Sequence, residues 1–292
     1  MSGQQSKQLV WLITGTSTGF GRLLTLAALQ RGDKVIATAR ARSLPQLADL
    51  KAAGANVLEL DVTAPLDTLK EVAQAAVAIH GRVDVVVNNA GFIGAGSMEE
   101  NTPEETLAQF KTNVFGGMNV ARAFLPAMRA TRSGTVVWFG SIAGWGAVPH
   151  MGLYGATKFA VRGVSEALNA ELAPLGLRSV CVDPGYFRTA FLVPENRTPF
   201  ASRIGDYAEG GRAADGMLQA YNGQQPGDPE KGAQLVVDII RGEGKAAGRV
   251  VPSVVSLGSD AYAGIRAACE EKIRVLDEWK EVTVGTDFEK RV

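Results

Sequence analysis

Tyr154 and Lys158 stand four residues apart in "HMGLYGATKFAVRGVSEALNAELAPLG", a stretch whose apolar residues recur at helical spacing. In a helix that interval rises about 6 Å and turns slightly more than once, so a phenol and an ammonium project from one face as neighbours. They can act on one atom. An ordinary surface pair has the same spacing, so the chemistry depends on what the rest of the chain gathers around it. His150, four residues before Tyr154, faces either a substrate mouth or only a loop. Neither it nor His80 sits in a thiol-protease setting, and Cys181, inside the apolar run "LRSVCVDPG", reads as core packing. With Cys269 far away in sequence, there is no disulfide framework, and no metal site is expected.

The elements that must position these residues follow from the pattern of the chain. Short β-branched runs at 9–15, 34–40, 56–62, 83–91, 134–141 and 177–185 alternate with helical patterns such as 19–31, 44–53 and 66–80. That alternation predicts an α/β fold, a parallel sheet with helices on both faces, and several strands apolar enough to be buried on both sides. Residues 1–292 read as one domain. Within it, 1–8 form a polar tail. Residues 190–227, with helix plausible around 199–222, read as a surface excursion or an active-site lid. From Val255 onward, Leu257, Ala261, Ile265, Ala268, Leu276 and Trp279 fall at helical spacing, which predicts a C-terminal helix within 252–292 packed on the body.

Composition narrows the function classes. Thirty basic residues balance thirty acidic ones, so no whole-chain field draws nucleic acid or an anionic membrane. No apolar run is long enough to span a bilayer, and the short polar N-terminus has no signal-peptide core. The expectation is a cytoplasmic protein acting on a small molecule.

Directly after the first apolar run comes "TGTSTGFG", whose Gly15, Gly19 and Gly21 allow a tight turn and a close approach of ligand to backbone. The following helix offers its free N–H groups to a pyrophosphate. Asp61, "NNAG" (88–91), Ser141 and "PG" (184–185) then fall at the ends of successive strands, along the edge where open α/β sheets bind ligands.

In this order, "TGTSTGFG", "LDV" (60–62), "NNAG", Asn113 in "TNVFGG", Ser141 in "GSIAG", "YGATK" and "PGYFRT" (184–189) resemble the short-chain dehydrogenase/reductase family in its single-domain form. The resemblance implies a doubly wound Rossmann fold with a seven-stranded sheet, a nicotinamide cofactor, and interconversion of an alcohol and a carbonyl. It places the cofactor against Gly15, Ser17, Thr18, Gly19, Phe20, Gly21, Asp61, Val62, Asn89, Ala90, Gly91, Pro184, Gly185, Phe187 and Thr189, together with Tyr154 and Lys158. It also implies a homodimer or homotetramer built on helices at 103–130 and 152–173.

Tyr154 is then the acid/base. A free phenol, with pKa near 10, is a poor catalyst at neutral pH, and an ammonium about 4 Å away would lower it by about three units. Lys158 has that role and, by resemblance, binds the nicotinamide ribose. Ser141 holds the substrate oxygen and Asn113 supports a proton relay. Phe92 and Trp145 fit either the pocket wall or plain packing. The substrate is not implied, because the family varies beyond residue 190. A catalytically silent nucleotide-sensing protein is the alternative; such proteins usually lack the tyrosine or lysine, and both are present here.

The end of the second strand, "KVIATARARS" (34–43), bears on which cofactor binds. An enzyme selecting NAD commonly places a carboxylate there to hold the ribose hydroxyls, and Val35 to Ser43 contain none. Arg40 and Arg42 suit a 2′-phosphate instead, with Thr38 or Ser43 as added hydroxyls. NADP is expected over NAD, with Arg40 as the principal contact.

Overall fold

Val10–Thr14, "VWLIT", has every residue buried, as expected of a central strand covered on both faces. In the computed structural model, which describes residues 7–193, 197–198, 200 and 202–288, this strand (β1) lies at the middle of a sheet. The other strands are β2 (Lys34–Ala39), β3 (Asn56–Glu59), β4 (Val85–Asn88), β5 (Thr135–Phe139), β6 (Arg178–Pro184) and β7 (Val254–Leu257). Among the described residues the seven strands form one sheet in the order β3-β2-β1-β4-β5-β6-β7, and all pairings are parallel. The chain winds outward from β1 to β3, returns to β4, and winds out the other way. The switch point between β1 and β4 opens a crevice at the carboxyl edge.

Successive strand side chains point to opposite faces, so each strand feeds two cores. Leu12, Ile36, Val86 and Val136 face one core with Phe124, while Trp11, Ile13, Val87 and Val137 face the other with Leu24 and Val236. Each fully buried Leu, Ile or Val contributes about 1.5–3 kcal/mol. The covering helices are α1 (Gly19–Gln30), α2 (Ala48–Ala52), α3 (Leu66–His80), α4 (Pro103–Phe110), α5 (Gly117–Thr131), α6 (Gly152–Leu172), α7 (Ala208–Tyr221), α8 (Pro229–Arg241) and α9 (Ser259–Thr283). A capping box at Thr102 and Glu105 starts α4, and the Asp228 carboxylate caps α8. Between α4 and α5 the helical run passes without a break through a π turn, Lys111–Gly116.

The two ends of the chain depart most from the sequence pattern. Most of the expected N-terminal tail, residues 1–6, lies outside the described residues, as does the end at 289–292. Val255 and Leu257, read above as the start of the C-terminal helix, belong to β7, a four-residue edge strand. The α9 helix does not pack along the body as expected. Ala261 is its one buried residue, whereas Leu276 and Trp279 are 70% and 57% exposed. A helix of 25 residues is about 37 Å long and outruns the surface it starts on. Its outer turns carry charge pairs, Arg266 with Glu270 and Arg274 with Glu271 and Glu278, in place of apolar contacts. Among the described residues of the 190–227 segment, helix is confined to two short 3-10 turns, Ala190–Leu192 and Gly205–Tyr207, and α7.

Candidate active site

The glycine turn is braced from the neighbouring strand. Asn89 donates its side-chain amide to the carbonyls of Thr14 and Gly15 at 2.8 and 3.0 Å, and the Thr14 hydroxyl accepts from the Asn89 and Ala90 backbone at 3.0 and 3.1 Å. Gly15 and Gly19 have φ of +70° and +58°, the region that disfavours side chains. A Cβ on Gly21 would lie 2.4 Å from the Gly15 carbonyl, so this glycine lets α1 sit against the turn. Thr18, the N-cap of α1, makes no side-chain capping bond, and the first turn has no acid. The first N–H groups of the helix are thus not taken by a side-chain cap, the arrangement that a pyrophosphate fits.

The turn lines one end of a cavity of about 760 Å³ that runs along the carboxyl edge. Arg40, Arg42 and Ser43 line it beyond β2, and Asp61 beyond β3; the Asp61 carboxylate accepts from the backbone and hydroxyl of Thr63 at 2.9 and 2.8 Å. Phe20 and Phe187 meet edge to face, with centroids 4.9 Å apart, and form part of the wall.

Ser141, Tyr154 and Lys158 converge further along the same cavity. The amphipathic α6 places Tyr154 and Lys158 one turn apart, and both are buried. The Lys158 ammonium donates to the Phe139 carbonyl at 2.7 Å, and its nitrogen is 5.5 Å from the centre of the Tyr154 ring. Burial pushes the phenol above its ordinary pKa; the hydrogen bond from Ser141 pulls the other way, and the Asp183 charge adds to the rise. Burial also lowers the lysine to about 8, with Asp183 opposing. The lowered tyrosine pKa expected from Lys158 is therefore not found, because the net shift is upward. The ammonium rests on a backbone carbonyl, and desolvation of the phenol dominates.

Ser141 is held by Asp183 on β6. This buried carboxylate accepts from the Ser141 N–H at 3.0 Å, the Trp145 indole at 2.6 Å and the Cys181 thiol at 3.3 Å. One side chain thereby pins both ends of the turn that carries the serine. The turn also uses the serine as a cap, its hydroxyl accepting from the Ala143 N–H at 3.1 Å. Trp145 stacks under Arg162 at 3.9 Å. Burial raises the pKa of Asp183, and that of Cys181, which is a packed thiol.

Asn113 lies in the π turn, behind this site. Its amide nitrogen donates to the Phe92 carbonyl at 3.0 Å and the Thr157 hydroxyl at 3.2 Å, while its oxygen accepts from the Phe92 N–H at 3.1 Å. Asn113, Lys158 and Asn88 line a second, small cavity of about 10 Å³, room for about one water. Both polar atoms of the Asn88 amide are buried there without a protein partner.

The family model described as short chain dehydrogenase matches residues 9–199. The chain belongs to the short-chain dehydrogenase family. Oxidoreductase BOA17 of Botryotinia fuckeliana is 32% identical over 288 residues, 95% of this chain and 98% of that protein. A short-chain dehydrogenase from Streptomyces avermitilis, known from its crystal structure, has 37% identity and a TM-score of 0.83, covering 97% of this chain and all 100% of that one. A short-chain dehydrogenase/reductase from Burkholderia phymatum, solved in complex with NAD, shares the fold at 24% identity and a TM-score of 0.77, with 99% of each chain covered.

In this short-chain dehydrogenase the large cavity brings together every site residue expected from the sequence except Gly21, which lies beneath the turn, and Asn113, which lines the small cavity. Thr38 is not available to a ligand, since it is buried and its hydroxyl donates to the Ile13 carbonyl at 3.0 Å. His150 sits outside the cavity wall, at φ +60°, and its ring packs where a side chain on Gly210 of α7 would stand. Phe92 and Trp145 both line the cavity. Sequence reasoning missed Asp183, whose only signal is an acid inside an apolar strand, and Gly264 and Ala268 of α9, which line the same cavity. No described helix is long and apolar enough to cross a membrane.

Proposed function

We propose that the protein is an NADP(H)-dependent oxidoreductase that interconverts an alcohol and a carbonyl compound. The observation that carries this reading is the convergence of a buried phenol, a serine hydroxyl and a buried ammonium in the cavity that begins at the uncapped glycine turn. The residues around that turn fit a dinucleotide, and the nicotinamide, when bound, supplies or takes the hydride.

In the reductive direction the Ser141 hydroxyl hydrogen-bonds the substrate oxygen as negative charge grows on it, and the Tyr154 phenol delivers a proton to that oxygen. The raised pKa of the phenol keeps it in the donor form at neutral pH. Proton donation leaves a phenolate, which the neighbouring Lys158 ammonium stabilises. The small cavity between Lys158, Asn113 and Asn88 is a path for re-protonation from within the fold, which fits a relay role for Asn113. In oxidation the same groups run in reverse, with the phenolate as base.

Arg40 lines the cavity where β2 ends, and its preference is for a 2′-phosphate. Leu107 on α4, Phe115 in the π turn and Phe159 on α6 are 61%, 46% and 38% exposed, which favours a homodimer or homotetramer through these helices. Following nicotinamide absorbance with carbonyl compounds and each cofactor tests the reading. Substrate-dependent oxidation of NADPH supports it, and cofactor binding with no turnover on any alcohol or ketone overturns it. Light scattering tests the assembly.

A further inference from the structure

Beyond Tyr154 the cavity changes character. Ile93, Met151, Leu192 and Leu218 pack with the tyrosine in a third apolar cluster, separate from the two cores of the sheet, and Val148 and Phe191 extend the wall. These side chains come from four parts of the chain, including α7, so the apolar lining does not belong to a single element.

Two polar side chains at this end are already engaged. Thr198 accepts from the Ala95 N–H at 2.9 Å. Arg197 is ion-paired with Asp215 of α7 and faces the ring of Phe200 at 5.5 Å. The remaining charged residues that line the cavity are Arg40, Arg42 and Asp61 at the far end and Lys158 beside the tyrosine. Beyond Tyr154, among the described residues, the cavity carries one cation, Arg197, and a carboxylate matches it. An ionised substrate would have to give up its hydration with no opposite charge set aside for it.

The outer wall is the unusual part. Gly264 and Ala268 stand one turn apart on one face of α9 and line the cavity. A Cβ on Gly264 would come within 2.7 Å of the Ile142 side chain, so the helix approaches the serine turn closely, and Lys272, one turn further, donates to the Trp145 carbonyl at 3.1 Å. Along this face α9 passes from buried Ala261, through half-buried Gly264 and Ala268, to exposed Lys272. Gly264 thus lets α9 close onto the serine turn, and at Ala268, one turn on, the small side chain leaves the cavity open outward.

From this we infer that the substrate is a neutral carbonyl compound with an extended apolar group that runs from Tyr154 toward α9, and that Ala268 limits its length. The inference rests on the oxidoreductase reading above. It differs from that reading in naming the substrate class and the residue that selects within it.

The test uses unbranched methyl ketones, from methyl ethyl to methyl nonyl ketone, beside a charged set (pyruvate, levulinate) and a polyhydroxy set (dihydroxyacetone, erythrulose), with NADPH. In the wild type kcat/KM should climb about fourfold per added methylene over the first members, the increment expected for burying each group. Both polar sets should fall below the ketone of equal length. In Ala268→Trp, and less sharply in Ala268→Leu, the ratio of kcat/KM for the longest to the shortest ketone should fall by about tenfold or more, with circular dichroism checking that each variant is folded. A flat series, a preference for keto acids or polyhydroxy ketones, or a length ratio untouched by Ala268→Trp overturns the inference while leaving the oxidoreductase reading intact. If no carbonyl compound is turned over with either cofactor, that reading falls and takes this one with it.

Discussion

The Lys158 ammonium sits 5.5 Å from the centre of the Tyr154 ring, yet burial and not the ammonium sets the state of the phenol. In the proposed mechanism reduction needs the neutral phenol, which persists through neutral pH. It also needs the charge on Lys158, which is lost near pH 8. The expected kcat/KM for reduction is level below about pH 8 and declines above it, while oxidation rises with pH. Lys158→Arg, which keeps its charge, should lose the alkaline decline whatever its absolute rate. A wild-type reductive profile level to pH 10 would contradict this.

Tyr154→Phe keeps the ring within its apolar cluster and removes the proton donor. Turnover should fall by about two to four orders of magnitude, with cofactor affinity within about twofold of wild type by fluorescence titration. Wild-type rates in this variant would remove Tyr154 from the mechanism.

Burying Lys158 costs stability. Its pKa falls from 10.5 unfolded to about 8 folded, so between those values the unfolded chain binds more protons and stability rises with pH. The cost, about 3 kcal/mol, is in full force below pH 8. Lys158→Met removes it but leaves the Phe139 carbonyl without its donor, a loss of about 1–3 kcal/mol. The variant should be inactive, more stable than wild type by about 1 kcal/mol at pH 7, and less stable above pH 10.5. Urea unfolding at both pH values checks the change of sign, and a variant less stable at pH 7 refutes it.

Arg40→Ala should weaken NADP(H) by about one to two orders of magnitude, the cost of one hydrogen bond to a charged group, and leave NAD(H) almost unchanged. Equal losses for both cofactors, or a wild type that prefers NAD(H), would assign the 2′ position to other residues.

The segment that precedes α7 is tied down at its base. The Glu100 carboxylate accepts from the Arg203 and Ile204 backbone at 2.8 and 3.0 Å, which with Ser97 holds it down to about 2, and Arg203 also pairs with Glu105. Motion of a lid should therefore be concentrated beyond this anchor. Hydrogen exchange should report protection at 203–207 with and without cofactor and product, and protection gained on binding within 208–222. Glu100→Ala should raise exchange at 203–207 and raise KM more than it lowers kcat. Equal protection of 208–222 in both states counts against a lid.

Much of this was legible in the sequence, for reasons that differ from residue to residue. Five strands announce themselves because they are largely buried on both faces and read as apolar runs, as in "VWLIT", and the edge strand β3, which has no buried residue, is legible only from the alternation around it. The seventh, "VVSL", is a half-exposed edge strand of four residues and lacks that mark. The proximity of Tyr154 and Lys158 follows from helical spacing. The ionisation of Tyr154 does not, because the burial that decides it comes from Ile93, Met151, Leu192 and Leu218, which only tertiary structure brings together. Asp183 was invisible as a partner of Ser141 for the same reason: 42 residues separate them.

The π turn at Lys111–Gly116 holds one more residue than an α-helical turn would. Each residue advances a helix by about 100°, so the turns before it and after it are out of phase by roughly that angle. Gln109 and Asn113 can therefore point at the Phe92 backbone while Val120, Phe124 and Met128 stay aimed at the core. The two faces can be adjusted separately along one continuous rod. Removing a single residue there would leave an unbroken regular helix, but it would rotate Asn113 away from the Phe92 loop, so the chain can lose this contact without losing its helix.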